Sequence, residues 1–173
     1  MPPEALVLGF DTSAAHCAAA LLSGDRLVAA RVEPMEKGQA ERLMPMLEQV
    51  LAEAGTAWRD VSALAVCTGP GNFTGVRIAV AAARGLALGL GVPAIGVTLF
   101  EAQAAGLPRP VTVMAEARRG EVYVQRFPGG APRLTMRELA LAEGGPVVGI
   151  DLPPRWPAAE AVARVAAGRL GAP

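Results

Sequence analysis

Short apolar runs separated by turn residues dominate the first thirty positions. Ala5 to Phe10 (ALVLGF) ends at Asp11-Thr12-Ser13, Cys17 to Ser23 is closed by Gly24-Asp25, and Arg26 to Val32 alternates in part. Three consecutive strands are predicted. The period then changes. From Glu41, apolar residues recur at Leu43, Leu47, Val50 and Leu51 and stop at Gly55. That is helical spacing, with Pro45 tolerable only in a first turn or at a kink. Leu64 to Thr68 reads as a fourth strand, Gly75 to Leu90 as a second helix and Ala94 to Val97 as a fifth strand. Further on, Val111 to Ala117 and Glu121 to Phe127 alternate around Arg118-Arg119-Gly120 as a hairpin. Met136 to Ala142 predicts a short helix, Val147 to Ile150 a strand, and Ala158 to Leu170 a final helix with Ala161, Val162 and Val165 on one face.

The order βββαβαβ implies an α/β fold. By fold analogy it is the lobe shared by ribonuclease H and the actin, sugar-kinase and Hsp70 superfamily (ASKHA). The second half, two strands, a helix, a strand and a helix, reads as a reduced copy. The expected organisation is a full first lobe over residues 1–107, carrying dimerisation helices, and a reduced, C-terminally short second lobe over 108–173.

Composition narrows this picture. With 173 residues, 16 basic and 16 acidic, the chain suits one domain or two small lobes and has no bulk attraction to nucleic acid or membrane. Cys17 and Cys67 sit in apolar runs and are expected to stay reduced in a core, which suits a cytoplasmic protein. Prolines and Glu4 before the first apolar run argue against a secretory leader. The most apolar segment, Ile78 to Val97, is interrupted by Arg84, glycines and Pro93, so it reads as a buried helix followed by a strand and not as a membrane span.

Candidate chemistry gathers at two turns. Asp11, after the first strand, sits where an ASKHA protein places the acidic residue that faces phosphate and metal; Asp-Thr-Ser is equally ordinary turn and capping chemistry. The loop Gly69-Pro70-Gly71-Asn72-Phe73-Thr74-Gly75-Val76-Arg77 joins a strand to a helix, as phosphate-binding loops do. Its G-x-G-x-x-x-G spacing is neither the dinucleotide fingerprint nor the lysine-bearing P-loop. A tight connection is therefore expected, with Gly71 and Gly75 for unusual backbone angles, Asn72 or Thr74 as the cap, and Arg77 free for phosphate or a nearby carboxylate. Asp11, Thr12, Gly71, Thr74 and Arg77 form at most a vestigial nucleotide site. His16 is the only histidine, so no catalytic metal cluster, and no catalytic residue, is expected.

Taken in order, Phe10-Asp11-Thr12-Ser13, Gln39-Ala40-Glu41-Arg42-Leu43, the GPGNFTGVR loop, Gly96-Val97 and Ala117-Arg118-Arg119-Gly120-Glu121-Val122-Tyr123 resemble the TsaB (YeaZ) family from Leu6 to about Tyr123. The resemblance implies a non-catalytic partner in bacterial tRNA threonylcarbamoyladenosine synthesis. A catalytic paralog, TsaD, modifies N6 of adenosine at position 37, and an ATPase, TsaE, joins them. The family member is a homodimer when alone, reaches tRNA through the complex, avoids membranes, and has no cofactor of its own; ATP or ADP belongs at most to the complex. Where the paralog carries two histidines four residues apart after the strand ending in Gly-Val, this chain has Leu99 and Gln103. A leucine cannot ligate and an amide is a feeble ligand, so the older glycoprotease (M22) label of this branch is not expected to apply. The alternative is a nucleotide-binding ATPase or kinase-like enzyme using Asp11, Gly71, Thr74 and Arg77.

Both first-lobe helices read as apolar over more than one face. Small residues recur from Gly75 to Gly89, with Ile78 and Leu86 beside them, and adaptable Met44 lies on the first helix. The expected interface is Leu43, Met46, Leu47, Val50 and Leu51 with Ile78, Ala79, Ala82 and Leu86.

Overall fold

The computed structural model describes residues 4–149 and 151–170. Strands β1 (Leu6–Asp11), β2 (His16–Ser23) and β3 (Arg26–Pro34) form an antiparallel meander. Helix α1 (Gln39–Glu53) then leads to β4 (Ala63–Cys67), parallel to β1, and α2 (Phe73–Leu90) crosses over to β5 (Ala94–Val97), parallel to β4. The sheet order is β3-β2-β1-β4-β5. The central strands are covered on both faces and are accordingly near-continuous apolar runs, whereas edge strand β3 alternates between exposed and half-buried. Pro45 lies within α1 on its exposed side, past the first turn.

One face of this sheet packs on α1 and α2 through Leu8, Phe10, Leu21, Leu47, Val50 and Leu64. The other packs on α5 (Ala158–Leu170) through Val7, Leu22, Ala65, Val162 and Ala166. The sequence expectation grouped this last helix with the second lobe. It instead covers the first sheet, because its alanines allow a close approach: a Cβ on Gly9 of β1 would meet the Ala159 carbonyl and the Ala163 side chain at 2.7 Å.

After β5, a short helix α3 (Leu99–Ala104) leads to β6 (Val111–Glu116), β7 (Glu121–Phe127), β8 (Arg133–Met136), α4 (Arg137–Ala142) and β9 (Val147–Val148). The order β8-β7-β6-β9, with β6 and β9 parallel and the rest antiparallel, repeats β3-β2-β1-β4. The second sheet is thus a reduced copy of the first without a fifth strand among the described residues. This is the actin-like, ribonuclease H-like arrangement. Ile150, the expected end of the last strand, lies outside the described residues, as do the ends of the two expected lobes at 1–3 and 171–173.

Helix α2 departs most from expectation. The sequence reads as a buried helix, yet only Gly75, Ala79 and Ala83 of its eighteen residues are buried. By length and apolar composition it could cross a membrane, but it is the crossover between two parallel strands.

Candidate functional site

The two singled-out turns pack on each other. Gly71 and Gly75 have ordinary negative φ; their need is for size, since a Cβ on either would collide with the carbonyl oxygen of Ser13 or of Thr12. The left-handed angle falls on Gly69, at φ 83°. The Asn72 N–H donates to the Ser13 carbonyl at 2.6 Å and the Thr12 hydroxyl to the Gly75 carbonyl at 2.6 Å. Asn72, not Thr74, caps α2, its Oδ1 accepting the Gly75 N–H at 3.1 Å. Two N–H groups that a phosphate would need are therefore already engaged. Thr74 is exposed and Arg77 lies 5.3 Å over the Phe73 ring, without a carboxylate partner among the described residues. The loop is a tight strand-to-helix clasp.

Asp11, 1% exposed, ends β1. Its Oδ1 accepts the Ser13 N–H at 2.7 Å and its Oδ2 lies 3.1 Å from His16 Nε2, at the start of β2. Burial pushes the carboxyl pKa up, but the His16 and Ser13 hydrogen bonds outweigh it, so Asp11 lies below the ordinary aspartate value. Ser13 Oγ is 3.4 Å from Cys67 Sγ, whose thiol burial and the nearby Asp11 push up to about 12. Burial likewise raises Cys17 to about 11. Both thiols are buried and free, as the sequence suggests.

Asp11 also faces a cavity of about 170 Å³ between the first sheet, α3 and α5. Leu99 and Gln103, where the resemblance to the TsaB family would put the paralog's histidine pair, line the same cavity, as do Trp156 and Val162. The cavity is thus apolar apart from one carboxylate, one amide and one un-ionised thiol. Among the described residues no three His, Cys, Asp or Glu side chains converge as a metal site. Helix α3 is not among the expected elements, although the Thr98-Leu99-Phe100-Glu101 capping box that starts it and sets Leu99 and Gln103 one turn apart is a sequence signal; Thr98 Oγ1 accepts the Glu101 N–H and Glu101 Oε2 the Thr98 N–H. Trp156 had no such signal.

The expected interface divides. Leu43, Met46, Leu47, Val50, Leu51 and Ala79 are at most 3% exposed and belong to the chain's own core, so they cannot meet a partner directly. They fill the space between α1, α2 and the sheet, and α1 turns a mixed face outward, with Glu41, Glu48, Gln49 and Glu53 beside Ala40, Met44, Pro45 and Ala52. Ile78, Ala82 and Leu86 are half-buried at the α1–α2 seam. What α2 exposes is a different stripe: Phe73, Ala81, Gly85, Leu88 and Gly89, with Arg77 and Arg84 on the same face between Phe73 and Leu88. Leu88 is 86% exposed and Phe73 73%, while Gly85 and Gly89 face open space.

Residues 33–149 match the family model described as TsaD, tRNA N6-adenosine threonylcarbamoyltransferase. The chain is 40% identical over 122 residues to the tRNA threonylcarbamoyladenosine biosynthesis protein TsaB of Escherichia coli, an alignment covering 68% of this chain and 52% of that protein. The Bacillus subtilis TsaB is 37% identical over 123 residues, with the same coverage. The chain spans about half the length of these curated relatives. A Pseudomonas aeruginosa crystal structure, described as an uncharacterized protein with similarity to peptidase YeaZ, superposes with a TM-score of 0.79 at 28% identity, covering 96% of this chain and 93% of that one.

Proposed function

This chain belongs to the TsaB (YeaZ) family, and on that premise we propose that it is a non-catalytic scaffold subunit in the synthesis of threonylcarbamoyladenosine at position 37 of tRNA. It docks on and activates a TsaD-like catalytic paralog, forms a homodimer when alone, works with a TsaE-like ATPase in the cytoplasm, and reaches tRNA through the complex. It needs no cofactor of its own and carries no peptidase or ATPase activity.

The exposed apolar stripe of α2 carries this reading. Burying a large side chain such as Leu88 or Phe73 in an interface is worth about 1.5–3 kcal/mol each. Exposed on one long helix beside Ala81, Gly85 and Gly89, they offer a partner helix both anchors and close approach. Arg77 and Arg84 lie on the same face, one turn from Phe73 and from Leu88, and their charge sets orientation more than affinity. The absence of catalysis is supported by Leu99 and Gln103 in the Asp11 cavity and by the occupied N–H groups of the 69–75 loop.

A reconstituted modification assay tests the proposal. With a TsaD-type subunit, a TsaE-type subunit, ATP, threonine-derived donor and tRNA, modified adenosine should form only when this chain is added. Leu88→Glu should abolish the stimulation. Stimulation that survives Leu88→Glu, or ATP turnover by the chain alone that Asp11→Asn removes, would contradict it.

A further inference from the structure

The outward faces of α1 and α2 carry opposite charge in the same rhythm. Glu41 and Glu48 on α1, and Arg77 and Arg84 on α2, are all exposed. None of the four forms an ion pair among the described residues, whereas Arg31, Glu33, Arg42 and Glu53 nearby are paired with one another. Each like-charged pair is seven residues apart, nearly two turns, so its members share a face about 10.5 Å apart along the axis. The two helices also run side by side in one direction. Helix α1 joins β3 to β4 and α2 joins β4 to β5, and these three strands all run the same way. Their first turns are level, because Gln39, Ala40 and Glu41 line one groove with Thr74, Gly75 and Ile78. Glu41 and Glu48 therefore stand at the heights of Arg77 and Arg84.

We infer that these four residues set the register of a dimer in which α1 of one copy lies over α2 of the other. This rests on the proposed reading of the α2 stripe as an interface, and names what the stripe meets when the partner is a second copy. The two-fold axis between such faces lies in the plane of contact. An axis across the helices would lay each helix on its own counterpart, arginine on arginine and glutamate on glutamate, which is repulsive. An axis along the helices opposes residues of equal height on α1 and α2. Glu41 then meets the partner's Arg77 and Glu48 the partner's Arg84, and symmetry repeats both pairs. Apolar positions keep the same register. Leu88, eleven residues past Arg77, comes opposite Ala52, eleven past Glu41, and Ala81 comes opposite Pro45. Large meets small, and Gly85 and Gly89, with nothing near their Cβ positions, let the α1 backbone approach.

Charge reversal with sedimentation equilibrium tests this, and circular dichroism checks that each variant is folded, as exposed positions allow. The variant Arg77→Glu/Arg84→Glu and the variant Glu41→Arg/Glu48→Arg should each self-associate at least tenfold more weakly than wild type. An equimolar mixture of the two should form a heterodimer within threefold of wild-type affinity, and so should the chain carrying all four reversals. Arg118→Glu/Arg119→Glu, which changes net charge equally on the exposed hairpin, should leave the dimer unchanged. Raising the salt from about 0.05 to about 0.5 M should weaken the wild-type dimer. Reversal on either helix that leaves self-association unchanged, or a mixture and a fourfold reversal that restore nothing, would overturn the pairing. Leu88→Glu separates this from its premise. If that variant is monomeric while the reversals have no effect, only the α1–α2 register fails; if wild type is monomeric, or Leu88→Glu still dimerises, self-association through α2 fails and the register with it.

Discussion

The Thr12 hydroxyl donates to the Gly75 carbonyl at 2.6 Å, locking the turn after β1 to the first turn of α2. The two segments lie 63 residues apart in the chain, and the contact exists because position 75 has no side chain. Together with the Asn72 to Ser13 bond, it makes the glycine-rich loop part of the fold's frame and leaves α2 free to show its other side.

Glycine in a helix ordinarily costs about 0.5–1 kcal/mol relative to alanine. Gly75→Ala should do the opposite of that rule. The added methyl would collide with the Thr12 carbonyl, and overpacking of this kind destabilises by about 1–3 kcal/mol. Gly85→Ala, with nothing near its Cβ, should gain about 0.5–1 kcal/mol. Urea denaturation of both variants at concentrations that keep the protein monomeric checks the contrast. Equal signs for the two would mean that the clasp yields easily.

Asp11 ties stability to acid. Its folded-state pKa is depressed, despite burial, by hydrogen bonds from His16 and Ser13. Its contribution is thus present above the unfolded aspartate pKa and is lost as pH falls through the lower folded value. Wild type should be more stable than Asp11→Asn at neutral pH, and the gap should close as pH drops below the ordinary aspartate range. Denaturation midpoints across pH 2–7 measure it. A gap independent of pH would show that the carboxylate charge is not what the turn uses.

The thiols should be silent. Burial drives Cys67 to about 12 and Cys17 to about 11, so almost no thiolate exists at neutral pH. An aromatic disulfide reagent should label neither in the native protein and both in urea, with slow native labelling that tracks opening of the sheet. Fast native labelling of either cysteine would contradict the burial seen here.

Much of the fold was legible because its signals are local. The Gly24-Asp25 turn, the alternation on either side of Arg118-Arg119-Gly120, and the helical spacing from Leu43 to Leu51 each need only their own segment, and each corresponds to an element. Arg119 even adopts the left-handed angle, φ 58°, beside Gly120. The failures concern partners. Periodicity puts Ala161, Val162 and Val165 on one face; it cannot say that the helix lies on β1, β2 and β4 and not on the second sheet. Nor can it tell an inward apolar stripe from an outward one. Leu43, Leu47 and Ala79 looked like interface residues because two stripes on α1 and α2 are apolar, and the inward pair is claimed by the chain's own sheet. Strand β8 was missed because its four residues are exposed or half-buried and carry no strong alternation.

Partner docking through the outward stripe of α2 is tested most directly by sedimentation velocity with a purified TsaD-type subunit. Leu88→Glu is compared with wild type, and circular dichroism confirms that both are folded. Leu88 is 86% exposed, so its substitution should leave the isolated chain intact, whereas a charge at fully buried Ala79 should unfold it. Wild type should move as a complex with the subunit and as a dimer alone, and Leu88→Glu should sediment as a folded monomer in both cases. A folded Leu88→Glu protein that associates as wild type does would place the interface elsewhere on the molecule.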